Sequence, residues 1–374
     1  MFRTAIPLVV LTCLGLFDAG PLHAGPINPP AGPVAPTPGP EPRTPISLTT
    51  TPGDADSLFR IAAPGSYYLT GNITGMAGRR GIEIDASGVT IDLNGFELIG
   101  PGSGAAFDGV GMTFPHRNIS VVNGSIRNWT GDGIDTGTLN GVGGRIVGVH
   151  SSGNGQAGIR AGDGYSITNC TAVHNTGDGI ATRVGCTVTD CAAKSNGGNG
   201  FIVNNSCTVV NCAAANNILS GIRTGSGCTV AHCAATANSG HGIEPGGANL
   251  VQACSASLNL LDGIRCIGTC TVQSTTCSGN GAGVSEGAGI HITGSDNRVD
   301  GNNCTGNDRG VDVDAAGNII VNNTCAGNTT DWDITADNVV GPILDRRAPA
   351  SAVINGFSAP GSLGSTEPNA NFSY

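Results

Sequence analysis

The apolar positions of this chain fall into short alternating patches separated by Gly, Asn and Asp. In the stretch from Gly179 to Asn196, Ile180 stands first, Cys186 and Val188 follow, and Cys191 and Ala193 come last. Such patches, each closed by turn residues, predict strand, turn, strand, turn, strand, and not a helical period. The unit then repeats. Gly-Ile (once Gly-Phe) recurs at 158, 179, 200, 221, 242 and 263, always 21 residues apart, and an Asn keeps the same step at 154, 175, 196, 217, 238, 259 and 280. A fixed period of roughly 20–50 residues marks stacked supersecondary units, none of which can bury its apolar face alone. Each unit is too short for a strand plus a crossover helix, so one unit is expected to be one turn of a coil of strands.

Aligned by this period, the units give continuous columns. One reads Ile134, Ile159, Ile180, Phe201, Ile222, Ile243, Ile264, Ile290, Val311 and Trp332. A second runs Ile146, Ile167, Val188, Val209, Val230, Val251, Val272, Val299 and Ile320. A third is small: Ala172, Ala193, Ala214, Ala235 and Ala256, then Cys277, Cys304 and Cys325. Columns of this kind fill the bore of a coil whose turns lie about 4.8 Å apart. Asn at the corner suits a tight or left-handed turn and can hydrogen-bond its copies in neighbouring turns.

The repeat of Gly-Ile, then Val or Ile, then an Asn corner resembles the right-handed parallel β-helix (pectate-lyase-like) superfamily over roughly residues 67–334. Tyr67-Tyr68-Leu69-Thr70-Gly71-Asn72-Ile73, Gly81-Ile82-Glu83-Ile84 and Val89-Thr90-Ile91-Asp92-Leu93-Asn94-Gly95 look like the opening turns of its secreted members. The resemblance implies an all-β fold, a single-stranded right-handed parallel β-helix solenoid of about 12 rungs with 21-residue repeats. The superfamily hosts lyases, hydrolases, epimerases, adhesins and copper-chaperoning periplasmic proteins, so the fold does not select an activity.

Around the coil the chain divides by composition. Residues 1–24 read as a secretory signal, with Arg3, the apolar run Pro7–Phe17 and Leu22-His23-Ala24 before Gly25; the run is short for a transmembrane anchor. Residues 25–45 form a Pro-rich spacer, 46–345 the β-helix domain, and 346–374 a Gly/Ser/Pro/Asn tail. Residues 46–66 are expected to lead into the coil and cover its first rung. Longer steps place loops at Pro101–Phe107 and Asn140–Gly144, and a third at 281–288 carrying Val284-Ser285-Glu286. The reading is of a protein that is secreted, periplasmic or held at the cell surface.

With 61 Gly and a formal charge of −10, the chain lacks the basic footprint that nucleic acid requires. An acidic polysaccharide remains accessible through local arginines or a bridging cation. Thirteen cysteines follow the signal, most in stacked columns. In-register neighbours keep their Cβ atoms near 4.8 Å, longer than the ~3.8 Å a disulfide prefers. Alternation with Thr, Asn and Ala in the same columns points to a site that asks for a small side chain. Buried free thiols are the leading expectation, rung-to-rung disulfides the alternative; no spacing suits zinc.

The residue after each Gly-Ile points away from the bore, because strand neighbours alternate. That outward row reads Asp135, Arg160, Ala181, Ile202, Arg223, Glu244, Arg265, His291, Asp312, Asp333. In the superfamily's lyases and hydrolases the matching sheet walls the substrate cleft, so the resemblance directs attention here. Arg265, His291 and Arg223 are the catalytic candidates: the arginines to grip uronate carboxylates, His291 as general acid or base. Glu244, His241 and Asp262 are substrate-binding candidates. Asp312 and Asp333, adjacent in the stack, are candidates for Ca²⁺. Alternation of sign along Arg223, Glu244 and Arg265 equally describes a solvated salt-bridge ladder. Gly240-His241-Gly242 resembles the Gly-His-Gly signature of polygalacturonases, but no Asp-Asp pair or Arg-Ile-Lys segment accompanies it, so inverting hydrolysis lacks its carboxyl pair. Outward Thr187, Thr208, Thr229 and Thr271 are interrupted by Leu250, too irregular for an ice-binding array. Two functions stand: binding, and lyase-like processing, of a uronic-acid-containing extracellular polysaccharide, or a non-catalytic structural or adhesive cell-surface scaffold.

Overall fold

A computed structural model describes residues 43–281, 287–345 and 368–374. The expected signal, residues 25–42 of the spacer, the segment 282–286 and residues 346–367 of the tail lie outside the described residues. Every regular element described is a strand, and no described helix is long and apolar enough to cross a membrane.

The strands coil in register. Ile180–Thr182, Thr187–Thr189 and Ala192–Lys194 make one turn and pair in parallel with Phe201–Val203, Thr208–Val210 and Ala213–Ala215 of the next. Ile180 faces Phe201, Val188 faces Val209 and Ala193 faces Ala214, so each predicted column is a line in space. One face of the coil is a sheet of 13 strands, and the other two faces share a sheet of 26. Ile134, Ile159, Ile180, Phe201, Ile222, Ile243, Ile264, Ile290 and Val311 are all fully buried in the bore, as are the Val/Ile and Ala/Cys columns. Trp332, at the column's end, is only partly covered.

There is at least one rung more than the expected dozen. Thr44–Pro45 pairs with Tyr67 and Tyr68, and Ser57–Ile61 pairs with Arg80–Ile84. The segment 46–66, expected to cover the first rung, thus contributes a strand of its own, and so do Thr44 and Pro45, the last two residues of the expected spacer. The segment's step is irregular (Phe59 faces Ile82), which hides it from a 21-residue search. At the other end, Asn371–Ser373 returns to pair with Thr324–Ala326 and Ile343–Asp345.

Three corners per turn share one device. Gly185, Asp190 and Ser195 each take a left-handed φ of 55–70°, and each is followed by a buried residue: Cys186, Cys191 and Asn196. A sharp corner turns a backbone N–H away from the ladder and into the bore, where an unpaired donor is costly. The buried residue of the next turn supplies the acceptor. Asn196 N–H and Nδ2 donate to Asn217 Oδ1 at 3.1 and 3.0 Å, while Nδ2 also donates to Ala172 O at 3.1 Å. The same bonds run unbroken from Asn154 to Asn328.

The cysteines do what the asparagines do. Cys186 N–H donates to Cys207 Sγ at 3.3 Å, and the Cys186 thiol donates to Gly162 O at 3.0 Å. Where the column changes letter the bond persists: Cys228 N–H donates to Asn249 Oδ1, and Cys270 N–H to Asn297 Oδ1 at 2.9 Å. All thirteen described cysteines are buried and unpaired. Their neighbouring sulfurs and burial hold the Cys266 and Cys304 thiols well above their ordinary range, so they remain protonated.

The repeated glycine packs behind the Asn ladder. A Cβ on Gly221 would stand 2.7 Å from both Asn238 Nδ2 and Gly242 O, and 3.0 Å from the Ala235 methyl. Gly, Asn and Ala therefore recur together because each occupies the space the other two leave.

Asn238→Ala is expected to destabilise the fold by about 2–4 kcal/mol, since it strands the N–H of Asn217 and one of its two Nδ2 hydrogens in the bore. Asn238→Asp is expected to cost more, because it keeps the volume but sets a carboxylate against Asn259 Oδ1. Denaturant unfolding of both variants checks the order. The described cysteines are expected to resist a bulky thiol reagent in the native protein and to react fully in denaturant; a mass showing loss of hydrogen pairs would contradict free thiols.

Candidate functional site

The outward row of the 13-stranded sheet is continuous. Asp135 faces Arg160, Arg160 faces Ala181, Ala181 faces Ile202, Ile202 faces Arg223 and Arg223 faces Glu244. Arg265 then faces His291, His291 faces Asp312, and Asp312 faces Asp333. The row carries three different local environments.

The C-terminal part is a closed ionic network. His291 Nδ1 bonds Asp262 Oδ2 at 3.0 Å, and Nε2 bonds Asp314 Oδ2 at 2.9 Å with Asp312 Oδ2 at 3.7 Å. Asp262 is the hub: His241 Nδ1 lies 3.1 Å from the same Oδ2, and Ala288 N–H donates to Oδ1 at 2.8 Å. Burial opposes the charge on His291, but the bond to and charge of Asp262, with Asp314 and Asp312, outweigh it and push the imidazole up to about 9. Burial also acts on Asp262, yet His241, His291 and the Ala288 N–H hold its carboxyl well below the usual range. Burial raises Asp312 despite Arg309 and His291. At neutral pH His291 is thus an imidazolium held on both nitrogens, unsuited to take a proton.

Asp312 and Asp333 are adjacent, as expected, but Arg309 stands between them, with Nη1 2.7 Å from Asp312 Oδ2 and Nε 3.4 Å from Asp333 Oδ2. A guanidinium fills the position that the sequence reading gave to Ca²⁺. The donor atoms within 4.8 Å of one another here belong to His291, Asp312 and Asp314. His241 and Asp262, expected to bind substrate, are mostly covered and pair with each other, and Asp262 also pairs with His291. Residues 282–286 of the loop expected at 281–288 lie outside the described residues.

The central part is the salt-bridge ladder. Glu244 Oε2 lies 3.7 Å from Arg223 Nε and accepts from Ser220 Oγ at 3.0 Å, while Oε1 lies 3.9 Å from Arg265 Nη1. Arg223 and Arg265 are thereby braced but remain at the surface.

The third environment was not singled out by the sequence reading. Where the row turns to Ala181 and Ile202, charge gives way to a shallow depression of about 390 Å³ between Arg160 and Arg223, edged by Asp178, Asn204 and Thr224. A smaller hollow of about 130 Å³ continues it past Thr138, Ala181, Thr182 and Arg183. Arg160 is anchored to buried Asp132 through Nε at 2.8 Å and Nη2 at 3.3 Å, and Arg183 to Asp163 through Nε at 3.2 Å. Each guanidinium has five donors, so these anchors leave others to meet a ligand. The only sequence signal was the break in the charged row itself.

A sequence pattern for a right-handed β-helix region matches residues 182–330. Among solved structures, the A-module of an Azotobacter vinelandii mannuronan C-5 epimerase aligns with a TM-score of 0.59 at 13% identity, covering 80% of this chain and 88% of that one. The receptor-binding domain of the siphovirus 9NA tailspike aligns with a TM-score of 0.59 at 11% identity, covering 82% and 72%. The Dettilon tailspike protein aligns at 0.52 with 15% identity, covering 72% and 58%. No curated protein matches by sequence. Likeness at these identities shows the fold: the chain is a right-handed parallel β-helix.

The raised His291 pKa links the network to stability. A histidine whose folded pKa exceeds its unfolded value of 6.5 stabilises fully below that value, and the gain is lost as pH rises through about 9. The stability of the wild type relative to His291→Gln is therefore expected to fall across this window, by up to about 3 kcal/mol. Denaturant unfolding at stepped pH measures it; a difference that stays level would show that the network does not hold the proton.

Proposed function

We propose that the outward face of the 13-stranded sheet docks an extended acidic polysaccharide, with the hollow between Arg160 and Arg223 as its principal contact, and that the protein is exported to meet it. The observation that carries this reading is a gathering of guanidinium donors at two adjoining hollows. Arg160 and Arg223 edge the larger, beside Ala181 and Ile202, and Arg160 and Arg183 edge the smaller. A flat apolar floor with guanidinium groups at its edges suits a pyranose ring bearing a carboxylate. Arg160 and Arg223 are three rungs apart, roughly 14 Å along the coil, so the contact spans several sugar units. That one protein of similar fold is a mannuronan C-5 epimerase module supports a polysaccharide partner.

Binding is favoured over lyase-like processing. β-Elimination needs a base that can take a proton at the sugar ring. His291 is already protonated and engaged on both sides at neutral pH, and Arg223 and Arg265 are braced by Glu244. The wall therefore offers grip, while the catalytic roles expected of Arg265, His291 and Arg223 lack a base to begin them.

Titration of the purified chain with a polyuronate and with a neutral glucan tests the proposal. Binding to the polyuronate alone is expected, falling with added salt, weakened about tenfold by Arg223→Ala and abolished by Ile202→Asp, with no unsaturated product released. Equal affinity for the neutral glucan, or no binding to either, would leave the scaffold reading in its place.

A further inference from the structure

We propose that Asp54, Asp56 and Glu83 form a binding site for a hard divalent cation of the Ca²⁺ type, where the first turn of the coil meets the second. One carboxylate oxygen from each residue lies within 4.8 Å of the others. This site is separate from both the hollow and the His291 network. It rests on two independent observations, the grouping of the donors and the state of Glu83.

Glu83 belongs to the strand Arg80–Ile84 and stands in the outward row between Arg60 and Gly111. Although it points outward it is only 3% exposed. Its Oε1 accepts from Thr113 Oγ1 at 3.0 Å, but Oε2 is buried with no hydrogen-bond partner among the described residues. A desolvated carboxylate oxygen without a partner is costly, and a cation is the partner that would remove the cost.

The surrounding charge points the same way. Asp54, Asp56, Glu83 and Asp85 together face one guanidinium, Arg60. That group is committed to Asp85 through Nη2 and lies 3.7 Å from Glu83 Oε1 and 3.9 Å from Asp54 Oδ2. His116 Nε2 stands 3.6 Å from Asp85 Oδ1 on the far side. Negative charge therefore exceeds what Arg60 balances.

Asp54 is already shaped as a ligand. Its Oδ1 accepts from Ser57 N–H at 3.0 Å and Ser57 Oγ at 2.7 Å, which fixes the carboxylate, while Oδ2 has only Arg60 Nη1, at 3.9 Å, as a partner among the described residues. Asp56 is exposed, so water can complete the coordination shell. A donor set made only of carboxylates and water suits Ca²⁺ better than zinc or copper, and sites of this openness in extracellular modules bind at about 10⁻⁴–10⁻³ M. Occupancy would tie the 53–57 corner to the second rung.

The test is titration of CaCl₂ into the EDTA-treated full chain, followed by calorimetry and thermal unfolding. One saturable event is expected, accompanied by a rise in Tm. Asp56→Asn, at an exposed position, is expected to weaken binding about tenfold or more while leaving the Tm of the metal-free protein unchanged. Glu83→Gln is expected to remove binding without lowering the metal-free Tm, because the amide oxygen can still accept from Thr113 Oγ1 while the unpartnered carboxylate oxygen is replaced. No heat and no change in Tm up to about 10 mM CaCl₂ would overturn the proposal. Binding that survives in both variants would overturn it equally.

Discussion

Everything in this coil depends on what happens to the backbone N–H at a corner. Strand ladders satisfy the flat parts of each turn, but a left-handed corner residue directs the next amide into a dry bore. The solution is a side chain borrowed from the neighbouring turn, with an acceptor and a donor in one small volume. Asn does this with an amide, accepting at Oδ1 and donating from Nδ2, as in the line from Asn154 to Asn328. Cys does it with a thiol, accepting at Sγ and donating to a carbonyl, as at Cys186 and Cys207. Because each turn both gives and receives, the ladder makes neighbouring turns interdependent, and buried polar groups become a source of register instead of a liability.

This constraint explains features that look unrelated in composition. The chain needs few aromatic residues because its bore is filled mainly by Ile, Val and Ala at identical spacing. It needs a glycine beside the ladder because a methyl there would press on the amide of the next Asn, as at Gly221. It can carry many cysteines without disulfides because the thiol's value lies in its hydrogen bonds. With the interior so fully specified, the outward residues of the 13-stranded sheet are not constrained by the bore, and their chemistry changes along that face.

The columns were legible because two periods coincide: alternation along a strand and 21 residues between turns. Together they placed Arg223, Glu244, Arg265, His291, Asp312 and Asp333 in one line, and the fold keeps them there. What lay outside those periods was not legible. Arg309 and Asp314 stand off the row and reach it only through side-chain length and direction. The first rung was hidden because its step differs from the repeat. The role of the cysteines could not be read from any single column, since a thiol's partner lies in the next turn. The substitution of Asn249 between Cys228 and Cys270 was the visible trace of it.

A stacked wall presents its side chains at a fixed interval, so a ligand meets a ruler and not a pocket. Closing a deep cleft on such a wall requires long insertions, whereas a polymer needs only that its own repeat come into step with the rungs at a few points. The charged network around Asp262 is ill suited to meeting a polymer. Its groups are spent on one another, and opening them would expose buried charge. The stretch from Arg160 to Arg223 reverses this balance. Its acidic anchors, Asp132, Asp163 and Glu244, each hold a guanidinium in place without using all of its donors. Preorganised cations over a small apolar floor lose little freedom when a partner arrives, which is the condition under which a shallow site can still bind selectively. The break in the charged row is therefore where this face is most able to recognise something other than itself.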